Sequence, residues 1–340
     1  MLGTKDCRAR VRAPEAVRAG CDTTLTKRLR DPDKRPGPLK GMNVHLKRWL
    51  TVSGAAVVIA AGVVVGGSYW RLESNLETVD LSREITHPRP PSTPGRPLNI
   101  LLLGKDDGRS DTAMVVQLNA KGDQARVVSI PRDTMVPRPQ CGENPPAAVA
   151  MFNSAFSTGG AACSVATVEQ MSRVRIDHFV QIDFNGFRDV IDRLGGIDIN
   201  VPEPIDDEKS GLHVPAGPTK LDGTQALAFV RTRYSIGDGS DLNRIKNQQL
   251  FMRTLSEKLA GENWLASPQK TLELANILTR SVVTDTEIGS IPKLADLAGK
   301  LTALKPEAIT YVTLPTETYV PDPNRVQPKQ PDADAMWKAA

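Results

Sequence analysis

Residues 99–118 read Asn99-Ile-Leu-Leu-Leu-Gly-Lys-Asp-Asp-Gly-Arg-Ser-Asp-Thr-Ala-Met-Val-Val-Gln-Leu118, and after a turn residues 126–134 read Arg126-Val-Val-Ser-Ile-Pro-Arg-Asp-Thr134. Three short runs of Val, Ile and Leu, bounded by Gly, Asp and Pro, predict buried strands over Ile100–Leu103, Ala113–Leu118 and Arg126–Ile130. Between and after them stand Asp106, Asp107, Arg109, Asp111, Arg132 and Asp133. Carboxylates and arginines crowded at strand ends are either ordinary surface turns or groups that hold a ligand on a rigid scaffold. The rest of the chain decides between these readings.

Working outward, the 340-residue chain has room for one large domain with appendages. Its net charge of +4 is unevenly placed. Residues 1–48 hold 13 Lys and Arg against 5 Asp and Glu, whereas the remainder holds 30 against 34. A basic head on a mildly acidic body points to membrane topology, and the head lacks the interleaved aromatics expected of a nucleic-acid arm. We therefore expect no nucleic-acid partner and read the head, with little apolar periodicity, as a disordered cytoplasmic tail. Trp49 to Trp70 contains no charged residue and is long enough, at about 1.5 Å per residue, to cross the ~30 Å hydrocarbon core. The upstream charge predicts a single-pass membrane protein whose N-terminus is cytoplasmic and whose body is extracellular. Residues 71–97, with Pro88, Pro90, Pro91, Pro94 and Pro97, read as an extended stalk. The body runs over 98–330, and residues 331–340 read as a polar end.

Within the body, Cys141 and Cys163 are either a disulfide or two buried thiols. An extracellular body and the Pro- and Gly-rich surroundings of Cys141 favour the bridge. Ser164–Ser172 and Asn185–Leu194 have helical spacing, Ile176–Phe184 and Ile197–Val201 read as strands, and Gly195-Gly196 ends the second helix. Thr224–Phe229 reads as a helix, and an amphipathic helix runs from about Asp241 to Leu259. Arg231, Arg233 and Arg244 form a second basic cluster, and the first two, two residues apart, suit one side of an extended strand meeting a single anion.

The ordered set of motifs resembles the LytR-CpsA-Psr family of cell-wall glycopolymer ligases. The matching pieces are Gly104-Lys-Asp106, Arg109-Ser-Asp-Thr112, Ser129-Ile-Pro-Arg-Asp133, Phe152-Asn-Ser-Ala-Phe156, Gly159-Gly160, Ile176-Asp-His-Phe179, Asp183-Phe184-x-Gly186-Phe187, Leu194-Gly-Gly196, Arg231-x-Arg233, and Asp241-x-x-Arg244 continuing to Gln248-Gln249. The resemblance implies an α/β fold, a central mixed β-sheet flanked by helices, after one transmembrane helix. It also implies a phosphotransferase that moves a glycopolymer from a polyprenyl-pyrophosphate carrier to a peptidoglycan hydroxyl. By resemblance, Arg109, Arg132, Arg231, Arg233 and Arg244 contact the pyrophosphate with Gln248 nearby. Arginine forks match phosphate oxygens and stay protonated. Asp106 and Asp111 would bind Mg²⁺ (or Mn²⁺), and Asp106, Asp111 and Arg132 form the catalytic set. Whether Asp106 or Asp107 faces the metal stays open, as does the general base. Met151 and Asn247 stand where many members carry basic residues, which implies a weaker phosphate grip or a different donor. A hydrolase acting on the same carrier and a non-catalytic lipid-phosphate-binding protein are the competing classes.

Overall fold

The computed structural model describes residues 66–106, 108–232, 241–262 and 267–338, with the side chains of Arg109, Asp241 and Leu242 left out. The three opening strands lie at the centre of a seven-stranded mixed sheet, as β2 (Leu98–Asp106), β3 (Arg109–Leu118) and β4 (Ala125–Ser129). Their flanks are β7 (His178–Asp183) beyond β2 and β13 (Ile309–Thr313) beyond β4. β12 (Val282–Asp285) and β1 (Glu77–Val79) complete the order β1-β12-β7-β2-β3-β4-β13. β2 runs parallel to β7 and antiparallel to β3, so the sheet is mixed as expected.

Alternation along the strands sends side chains to two cores. Leu101, Leu103 and Val115 join Phe152, Val165, Val168 and Phe179 on one face. Ile100, Met114 and Val116 join Leu297 and Leu304 on the other. The first face is covered by α3 (Phe152–Ser172), the second by α8 (Ile291–Thr302). A third core gathers β8 (Ile197–Val201), its partner β11 (Gly217–Leu221), and the hairpin of β9 (Ile205–Asp207) and β10 (Leu212–Val214). Against these pack α4 (Phe184–Arg193), α5 (Gly223–Arg231) and α6 (Asp241–Gly261) through Ile191, Phe229 and Phe251.

The helical stretch α3 is longer than its periodicity predicted, because it consists of two helical segments joined across a kink at Gly159 and Gly160, whose backbone is not helical. Gly160 sits at φ 63°, ψ −154°, a conformation open in practice to glycine. Cys141 and Cys163 are bridged, as expected.

Two terminal segments differ from their expectation. Residues 71–97 are no free stalk. Residues 66–74 are helical (α1), β1 pairs with β12, and α2 (Leu81–Glu84) follows. Leu72, Leu81 and Ile85 are buried, and the Asn75 amide donates to Asn276 Oδ1 and Thr279 Oγ1. The prolines fall in the second half, residues 86–97, which has neither helix nor strand, whereas Leu81 and Ile85 upstream join the first core. The polar C-terminal end, likewise, folds as α9 (Asp332–Lys338), because Ala333 and Trp337 face the first core. The apolar span 49–70 lies mostly outside the described residues. Among those described, no helix is long and apolar enough to cross a membrane.

Candidate active site

The site grows from the turn between β2 and β3. Along this pair Gly104 faces Thr112 and Lys105 faces Ser110, so the register skips Asp111. Asp111 is the extra residue of a β-bulge, a device that re-aims a side chain and frees backbone groups from the ladder. Both effects are used here. The Asp111 carboxylate accepts from Arg132 Nη1 at 2.6 Å, and its carbonyl accepts from Arg244 Nη2 at 3.1 Å.

Arg132 is held by the turn after β4. Thr134 donates N–H and hydroxyl to the Pro131 carbonyl, and the Arg132 carbonyl accepts the Asn153 N–H from the first turn of α3. The Phe152-Asn153 pair thus locks the loop that carries Arg132. Arg244, in the first turns of α6, is 4% exposed. Arg231 is the last residue of α5, so the extended strand expected for it is a helix terminus. Its guanidinium lies 4.7 Å over the Phe184 ring and donates to Asp106 Oδ2 at 3.1 Å.

Asp111, Arg132, Arg231, Arg244 and Gln248 all line one cavity of about 220 Å³, and Asp106 joins it through Arg231. Of the expected site residues, the side chain of Arg109 and all of Arg233 lie outside the described residues. Gln248 borders the cleft, but its amide N–H groups are given to Thr112 Oγ1 at 3.0 Å and the Val230 carbonyl at 3.1 Å. It ties β3 to α5 and α6.

Sequence reading missed Lys209 and Ser210, which line the same cavity from the β9–β10 turn. Asp207, buried beneath them, accepts from the backbone of both and from the Thr232 hydroxyl. The signal was present as Asp207 followed by Gly211, the latter at φ 70°, just before Leu212-His-Val214. Arg325 was also missed. It donates to Asp133 Oδ1 at 3.0 Å, and the other oxygen of Asp133 is 3.7 Å from Arg132 Nε.

Two carboxylates, about a quarter exposed and each beside a guanidinium, are hard oxygen donors at the edge of an anion-sized cleft. Mg²⁺ is commonly held by one or two carboxylates completed by substrate phosphates and water, so Asp106 and Asp111 fit that ion. A second group, His178, Asp285 and Glu287, has clustered ligand atoms. There the Asp285 carboxylate accepts the N–H groups of Phe179, Glu287 and Ile288 and lies 3.2 Å from His178 Nδ1, which makes it the cap of a turn.

The model of the LytR_cpsA_psr family matches residues 71–340. The polyisoprenyl-teichoic acid–peptidoglycan teichoic acid transferase TagV of Bacillus subtilis (strain 168) is 31% identical over 255 residues, covering 72% of this chain and 63% of TagV. The chain thus spans somewhat less than two thirds of that relative. The crystal structure of B. subtilis TagV superposes with a TM-score of 0.60 at 27% identity, over 73% of this chain and 96% of that one. TagT bound to LIIa-WTA gives 0.58 at 26% identity, over 77% and 97%. With its sheet, its bulged Asp111 and its arginine cleft on the part of the chain so matched, the protein belongs to the LytR_cpsA_psr family.

Proposed function

We propose that this protein is a membrane-anchored phosphotransferase. It moves an anionic glycopolymer from a polyprenyl-pyrophosphate carrier to a peptidoglycan hydroxyl, leaving a phosphodiester link. The observation that carries the reading is the convergence of Arg132, Arg231 and Arg244 with Asp111 on one cleft. Three guanidiniums there match the charge and oxygen geometry of a pyrophosphate. The transferase name of TagV supports the reaction class.

In this reading the pyrophosphate enters the 220 Å³ cavity and exchanges its oxygens for the carboxylates now bound to Arg132 and Arg231. Asp106 and Asp111, released from those pairs, would hold Mg²⁺ (or Mn²⁺), which when bound neutralises charge on the phosphates. The acceptor oxygen forms a bond to phosphorus while the bond from phosphorus to the carrier phosphate breaks, and the carrier leaves as a phosphate monoester. The segment 49–70 would anchor the chain in the cell membrane, with the basic head in the cytoplasm and the cleft outside, where peptidoglycan lies.

The test uses the full chain in liposomes with a polyprenyl-pyrophosphate-linked glycan, peptidoglycan and Mg²⁺. Arg132→Ala is expected to lower transfer by about 100-fold or more, the usual loss when one donor to a developing charge is removed. Its circular dichroism and melting stay as in the unaltered protein. Chelation abolishes transfer, and added Mg²⁺ restores it. Undiminished transfer by folded Arg132→Ala would overturn the assignment. Carrier phosphate released equally with and without peptidoglycan would make the protein a hydrolase.

A further inference from the structure

A second cavity, about 440 Å³, adjoins the arginine cleft at Arg231. It shares Phe184 and Arg231 with the arginine cleft, and its remaining wall includes Lys105, Asp106, Asn185 and Arg188. We infer that this cavity is the subsite for the acceptor saccharide, an inference that rests on the transferase reading above.

Position comes first. Phosphoryl transfer places the entering and leaving oxygens roughly in line on opposite sides of phosphorus. With the pyrophosphate between Arg132, Arg244 and Arg231, the adjoining cavity gives an attacking hydroxyl room to approach along the wall that Phe184 and Arg231 share. The acceptor O–P bond forms as the P–O bond to the carrier phosphate breaks opposite it, and the hydroxyl proton passes to water.

Chemistry agrees. The smaller cavity gathers four cations, Arg132, Arg231, Arg244 and Lys209, against Asp111 and Asp207. In the larger one Asp106 and Asp183 stand against Lys105, Arg188 and Arg231, which is closer to balance. Such a wall suits a ligand rich in hydroxyls better than a second polyanion. Asn185 and Arg188 offer planar polar groups, and the Arg188 guanidinium donates to the Asn185 amide oxygen. Phe184 offers a ring face for the C–H side of a sugar. The volume lies within the roughly 300–1,000 Å³ usual for sites of small organic ligands.

The wall is also rigid. A Cβ on Gly223 would lie 2.3 Å from the Arg188 carbonyl oxygen, so α4 and α5 touch at backbone distance under this residue. The Asp183 side chain is spent on the N-terminus of α4, where it accepts the Gly186 N–H at 2.8 Å. Asn185, Arg188 and Lys105 are left as the groups that meet a ligand, and precise sites are built on supported elements of this kind.

The experiment separates acceptor from donor. In the full-chain assay, the probe acceptor is a peptidoglycan glycan fragment of two disaccharide repeats. Arg188→Ala is expected to raise KM for that fragment about tenfold, the size of one charged hydrogen bond, while KM for the lipid-linked donor stays put. Arg188→Lys recovers part of the loss, and Asn185→Ala changes acceptor KM in the same direction. A direct titration of the fragment onto the protein without donor makes the test independent of turnover. Binding that Arg188→Ala weakens supports the subsite even if no transfer is found, in which case the transferase reading alone falls. Acceptor KM and fragment binding both indifferent to Arg188→Ala would overturn the inference. So would a rise in donor KM instead, which would place the donor's own sugars in this cavity.

Discussion

At the scale of single residues, charge neutralisation organises the cleft. Asp111 points at Arg132 because the bulge turns it there, and Arg132 is in turn flanked by Asp133. Left alone, Asp133 would compete with a substrate phosphate for Arg132. Arg325 holds it from the other side at 3.0 Å, and both side chains are largely sheltered. Removing Arg325 therefore gives Asp133 back to Arg132. We expect Arg325→Ala to lower kcat by about tenfold, with Arg325→Lys intermediate, at a melting temperature changed by only a few degrees. Steady-state kinetics on the two variants checks this, and an unchanged kcat in both would show that Asp133 does not govern Arg132. Asp106, Asp111 and Arg132 were readable from sequence because they sit at the ends of adjacent strands. Arg325 was not, since it reaches Asp133 across 192 positions of chain through a hairpin with no apolar pattern of its own.

At the scale of elements, two neighbouring glutamines, one of them expected beside the pyrophosphate, act as braces. Gln248 and Gln249 point to different parts of the sheet. The second donates to Ser129 Oγ, the Val312 carbonyl and Thr313 Oγ1, each at 3.1 Å, and so joins α6 to β4 and β13. Helix α3 shows the same economy. Its kink at Gly159 brings the backbone against the disulfide, and a Cβ there would lie 2.9 Å from the Cβ atoms of both Cys141 and Cys163. Gly159→Ala is expected to cost about 2 kcal/mol, in the range of overpacked cores. Opening the bridge, which closes a separation of 22 residues, should cost roughly 3 kcal/mol through chain entropy. Thermal melts of the variant, and of the protein with and without reductant, measure both; a melt indifferent to reductant would deny the bridge any part in stability. Helix and strand positions followed from periodicity, and boundaries of the central strands fell within a few residues. The strands β1 and β12 were missed, because three or four residues with mixed polarity carry no period to read.

On the scale of the whole molecule, both faces of the sheet are covered by helices, and a separate core supports the arginine side of the cleft. Proline-rich composition suggested a spacer where the structure has a docked segment. Arg89 pairs with the buried Glu169 at 2.8 Å and donates to the Ile176 carbonyl, and Arg96 pairs with Asp177. That contact, foremost the hydrogen bond from Arg96 to Asp177, holds the Arg96 guanidinium above its ordinary pKa. These partners lie about 80 residues away along the chain, so composition alone gave no notice of them.

The pairing of β1 with β12 has a practical side. Cutting the chain at residue 98, where the apolar strands begin, would strip β1 from the sheet and leave β12 with a row of unsatisfied amides and carbonyls. It would also uncover the patch on the first core that Leu81 and Ile85 now fill. An exposed strand margin of this kind is a template for pairing with other chains. A chain starting at residue 66 is expected to stay monomeric in light scattering, while one starting at residue 98 forms large particles under the same conditions. The segment that resembles a tether thus acts as a seal against self-association.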